Sequence, residues 1–142
     1  MPRSDAAINP TTGLSGFDHA YTMKLRQINA ACDTALNLLK RTYPPGEVES
    51  WDKQEREAVT YKADASAPTP LLTSLSESRG VPLPELVERV LTKAETYAML
   101  SGTIIGQRQK LEDELDRAED EASIAAIDVV INPGGGLPCV TG

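Results

Sequence analysis

Residues 83–122, LPELVERVLTKAETYAMLSGTIIGQRQKLEDELDRAEDEA, decide the fold. Leu86, Val90, Ala94, Tyr97, Ser101, Ile104, Arg108, Leu111, Leu115 and Ala118 recur at three- and four-residue spacing, the period of one helix face. Pro84 suits the first turn, with Glu85 and Glu88 after it. The pattern predicts one helix of about 35 residues, some ~50 Å at 1.5 Å per residue. Within it stand Gly102 and Gly106, each costing about 0.8–1 kcal/mol relative to alanine. With Ala98 they form a stripe of small residues spaced by four. Such a stripe admits another helix closely, either the first helix of this chain or the same helix of a second copy. A break near Ser101-Gly102 is the competing reading.

Outward from this helix, FDHAYTMKLRQINAACDTALNLLKRTY (17–43) carries Tyr21, Leu25, Ile28, Cys32, Leu36 and Leu39 on one stripe, and predicts a helix of six or seven turns. Pro44-Pro45-Gly46 ends it. A helix with a modest apolar face (Trp51, Ala58, Tyr61) is expected from Ser50, its N-cap. In SAPTPLLTSLSESRG (66–80), Thr69 is placed to cap, Pro70 to open a helix and Gly80 to close it in the left-handed conformation. IAAIDVVI (124–131) predicts a short turn of helix passing into an extended segment. The expected fold is all-α, with four to five helices and irregular arms at both ends. Residues 1–15 form one arm, 16–131 a single helical domain, and 132–142 a Gly/Pro-rich tail.

Composition narrows the function. The chain has 142 residues, 14 Lys and Arg against 21 Asp and Glu, and a net charge of −7. The acidic excess lies late: residues 101–142 hold three basic and eight acidic side chains, while 1–50 hold five of each. A phosphate-backbone binder needs clustered cations, so nucleic acid is not the expected partner. No apolar run approaches 18 residues, and the N-terminus lacks the apolar stretch of a signal peptide, so no membrane segment is expected. Cys32 and Cys139 lie far apart and do not form a disulfide framework, which fits a reducing compartment. Cys32 falls on an apolar stripe and reads as a small buried side chain.

The chemistry-bearing residue types do not converge. His19 is the sole histidine, at a helix start with no nucleophile pattern beside it. One His and two remote Cys do not make a usual zinc site. LEDELDRAEDE (111–121) lacks the register of a calcium loop and reads as a solvated face, with Arg117 pairing Asp113 and Glu121. NPGGGLPC neither follows a strand nor opens a helix, so it is no phosphate loop. No catalytic residue, cofactor site or metal site is expected, and the chain reads as a non-enzyme.

A resemblance gives direction. Trp51 followed by EREA (55–58), ADASAPTPLL (63–72), SRGVPLPELVERVLTKAETY (78–97) and SGTIIGQRQKLEDELD (101–116) resemble a family of small helical tailed-bacteriophage proteins, the tail-fibre assembly or chaperone-like proteins. The likeness spans about residues 48–127. It implies a protein that helps a tail fibre fold, assemble or attach, working in the host bacterial cytoplasm, with a phage tail-fibre or tail protein as partner. The alternative is a permanent structural subunit of the phage tail, baseplate or fibre-attachment site, carried in the virion tail. Trp51, Tyr61, Leu71 and Leu72 are the first partner contacts to consider. A homo-oligomer also fits, since ~50 Å of helix exceeds what a globule of this length needs to bury itself.

Overall fold

A computed structural model describes residues 16–134; the arm at 1–15 and the tail from 135 onward, Cys139 included, lie outside them. Six helices follow one another: α1 (Gly16–Lys40), α2 (Pro45–Glu49), α3 (Trp51–Ala63), α4 (Pro70–Arg79), α5 (Leu83–Arg117) and α6 (Glu121–Ala125). No strand occurs among the described residues, and the protein is all-α. The long helix is there at its expected length of 35 residues. The extra element is α2, a single turn opened by Pro45 at its start. No helix among the described residues is long and apolar enough to cross a membrane.

The expected single helical domain separates into two compact units, one of residues 16–38 and 102–134 and the other of residues 39–101. α5 gives its second half to the first and its first half to the other. In the first unit, Phe17 and Ile28 of α1 pack with Leu111 and Leu115 of α5 and Ile124 of α6, with Ala20, Leu25 and Ile127 around them. Tyr21 adds a hydrogen bond from its hydroxyl to Asp116. Cys32 is buried, as its place on the stripe predicts. Asp120 caps α6, its Oδ1 accepting from the Ser123 N–H at 2.7 Å. The Ser123 hydroxyl and N–H both favour the ionised carboxylate, holding its pKa below the ordinary value.

The second unit is built on Ala58, Leu72, Val81, Leu86 and Val87. Gly80 ends α4 at φ 71°, its N–H donating to the Ser76 carbonyl, as the sequence predicts. The start of α4 differs from expectation. Thr69 occupies the cap position, yet its side chain makes no capping bond and its hydroxyl lies 3.1 Å from that of Thr73. The cap comes from Glu57 on α3, 7% exposed. Its Oε1 accepts from the Leu72 N–H at 2.9 Å and its Oε2 from the Leu71 N–H at 3.2 Å. A carboxylate there satisfies two of the open N–H groups and meets the positive end of the helix. Ser50 also makes no capping bond; its hydroxyl turns back to the Glu47 carbonyl at 2.6 Å. The ion pairs expected at Arg117 are absent among the described residues, while Arg108 and Glu112 form one at the same spacing.

Candidate protein-binding groove

Three aromatic side chains from three stretches of the second unit meet. Trp51 opens α3, Tyr97 lies on α5, and Tyr43 sits in the turn after α1. The Tyr43 and Trp51 rings lie 5.0 Å apart at 83°, and those of Trp51 and Tyr97 5.4 Å apart at 75°. Both are edge-to-face pairs, an arrangement worth about 0.5–1.5 kcal/mol each beyond area burial. Lys93, one turn before Tyr97, places its ammonium 3.8 Å from the Tyr43 ring centre and 4.6 Å from that of Trp51. This cation–π contact fixes the lysine over the cluster.

Beside the cluster is a groove of about 450 Å³. Trp51 and Val48 form one wall; Val90, Ala94, Tyr97 and Ala98 form the other. Its volume falls in the range of ligand-sized clefts. Asp52 and Glu55 of α3 and Lys93 of α5 also line it. Two polar atoms of the lining are buried without a partner among the described residues: the Trp51 indole N–H and the Ser101 hydroxyl. An unpaired buried donor costs about 1–3 kcal/mol. A second cavity of about 560 Å³ shares Gln54, Val90 and Lys93 with the groove and is lined further by Leu71, Arg79 and Arg89. Arg89 holds Glu85 at 2.7 Å through Nη2, while its buried Nη1 has no partner among the described residues. The composite surface offers apolar walls, hydrogen-bond donors and cationic groups, a combination suited to a polypeptide segment.

The residues singled out in the sequence are distributed unequally. Trp51 lines the groove and Leu71 the neighbouring cavity. Tyr61 packs against the core of the second unit. Leu72 is fully buried, and so is a core residue and no partner contact. Sequence reasoning did not bring Tyr43, Lys93 and Tyr97 to Trp51. The available signal was scarcity, since only six aromatic residues exist in the chain.

Two readings of the small-residue stripe, a helix break and a close crossing by α1, are corrected. α5 runs unbroken through Gly102 and Gly106, so there is no helix break. Close crossing by α1 is absent too: a Cβ on either glycine would meet nothing within 4 Å among the described residues. α1 instead meets α5 farther along, at Leu111 and Leu115, where large side chains supply the apolar area that glycine lacks. Ala98, Gly102 and Gly106 are exposed, beside Met99 and Ile105 at 67% and 39% exposure. Gly102→Ala and Gly106→Ala together are therefore expected to stabilise the protein by about 1.5–2 kcal/mol, through helix propensity alone. The shift of the urea unfolding midpoint measures this.

Among the described residues, no group of three or more His, Cys, Asp or Glu side chains is arranged to hold a metal ion. His19 is half-buried on α1.

Comparison with known proteins adds a partial match. Residues 92–130 match a family described as the HI1402 helical domain. This is under a third of the chain, covering α5 from Thr92, α6 and the segment after it. A protein of Haemophilus influenzae, itself described as uncharacterized, is 49% identical over 45 residues. Those residues are 32% of this chain and 66% of that protein, just under two thirds of its length. No solved structure matches.

Proposed function

We propose that this chain is a non-enzymatic assembly protein of a tailed bacteriophage. It binds a tail-fibre or tail protein in the host cytoplasm while that partner folds, assembles or attaches. The observation that carries the reading is the groove beside Trp51, Tyr97 and Lys93, walled by Val48, Val90 and Ala94. An apolar side chain of the partner would fill the space along Val90 and Ala94. The sequence resemblance over residues 48–127 supports a tail-fibre or tail protein as that partner.

Quantitative mass spectrometry of purified particles, combined with deletion of the gene, tests this. Absence of the chain from particles, with fibre folding lost in the deletion, is the expected result. Recovery in a fixed ratio to the fibre would instead make it a structural subunit of the tail. Absence with normal fibres would overturn the phage-assembly reading.

A further inference from the structure

After α6 the chain runs from Ile127 to Asn132 without helix. Ile127, Val129 and Ile131 pack against the core of the first unit, while Asp128, Val130 and Asn132 are exposed, Val130 at 57%. Burial with a period of two is what an extended chain produces. Both ends are pinned. Lys24 Nζ donates to the Ile127 carbonyl at 3.0 Å. The Asn132 N–H donates to Gln107 Oε1 at 2.8 Å, and Gln107 Nε2 donates to the Asn132 carbonyl at 2.9 Å.

In an extended chain the N–H and C=O of one residue point to the same edge, and those of the next residue to the opposite edge. Asn132 turns its pair toward Gln107. Val129 and Ile131 therefore present theirs on the other edge, and neither has a hydrogen-bond partner among the described residues. An ordered extended segment with an unpaired edge is a template for a strand. This one is also rich in β-branched residues, which suit pairing.

We propose that residues 127–132 pair antiparallel with the same segment of a second copy of this chain, about a two-fold axis. The free groups dictate the register. Using the N–H and C=O of Val129 and Ile131 in both copies sets Val129 opposite Ile131 of the partner subunit, twice, as hydrogen-bonded pairs. Val130 then faces its own counterpart at the centre, and Asp128 faces Asn132, so no like charges oppose one another. Setting Val129 opposite its own counterpart instead would need Ile127. That residue is already engaged, its carbonyl with Lys24 and its N–H with the Ile124 carbonyl at 3.1 Å. A two-stranded ribbon alone is marginal. Here each strand is ordered beforehand by the core behind it, so pairing costs little entropy.

Sedimentation equilibrium of the full chain is expected to give twice the chain mass, with a measurable dissociation constant. Val130→Lys, at an exposed site, is expected to leave the helical signal intact and raise that constant at least ~10-fold. Mixing Val130→Lys with Val130→Glu should restore the dimer. In a Cys139→Ser background, Val130→Cys should cross-link two chains on copper-phenanthroline oxidation, because opposed Cα atoms in such a pair lie about 4.5 Å apart. Val59→Cys, exposed on α3, should not. A single-chain mass throughout would overturn the proposal, leaving the edge to a strand of another protein. So would a dimer indifferent to Val130→Lys. In a chain retaining Cys139, a bond from Val130→Cys to Cys139 within one chain would put the chain's own tail on the edge and equally overturn it.

Discussion

Glu57→Ala is expected to destabilise the second unit by about 3 kcal/mol. The carboxylate is buried and accepts the backbone N–H groups of both Leu71 and Leu72. Hydrogen bonds to a charged group contribute about 1.5–3 kcal/mol each, and alanine leaves both donors without an acceptor at a site water reaches poorly. The salt bridge to Lys53, at 3.4 Å, adds little because the lysine is half exposed; Lys53→Ala should cost no more than about 0.5 kcal/mol. Glu57→Gln keeps one acceptor oxygen and should lose roughly half as much as alanine. Urea unfolding measures the free energies. Amide exchange at Leu71 and Leu72 localises the loss, and unchanged exchange there would show that α4 is not held by this carboxylate.

Leu115→Ala is expected to cost about 3 kcal/mol in the first unit. Leu115 is fully buried where α1, α5 and α6 meet, in contact with the cluster that contains Phe17, Ile28 and Ile124. Truncation removes its transfer free energy and leaves a cavity that three helices cannot close without shifting. Because each unit has its own core, amide exchange should accelerate in α1 and α6 while the amides of α3 and α4 keep their protection. Equal acceleration in both sets would mean that the two cores do not act separately.

What was legible in the sequence follows the range of each interaction. α5 could be read because its apolar period is sustained over ten turns, and Gly80 because a left-handed cap is a local backbone demand. α2 could not, since PGEVE is shorter than the window over which periodicity has meaning. The cap on α4 could not either. Thr69 had the right residue type at the right place, but Glu57, twelve residues upstream, reaches the same N–H groups with a charge. The role of the glycines was legible only in part, for a related reason. Spacing showed that Ala98, Gly102 and Gly106 share a face, and nothing local showed that this face is exposed. At the groove, Trp51 was singled out, but Tyr43 from the turn after α1 and Lys93 and Tyr97 from α5 come to it only through tertiary packing. The alternation in IDVVIN was visible as an extended segment; its pinning by Lys24 and Gln107 was not.

The central claim, that the groove beside Trp51 receives a segment of a tail protein, can be tested on one resonance. Trp51 is the only tryptophan, so incorporation of 5-fluorotryptophan gives a single 19F signal inside the groove, blind to tryptophans of the partner. Titration with the tail-fibre protein of the same phage or prophage should move this signal saturably. Lys93→Glu should weaken the interaction about 10-fold by reversing the charge that lies over the aromatic cluster. A resonance unmoved at any fibre concentration would contradict the account.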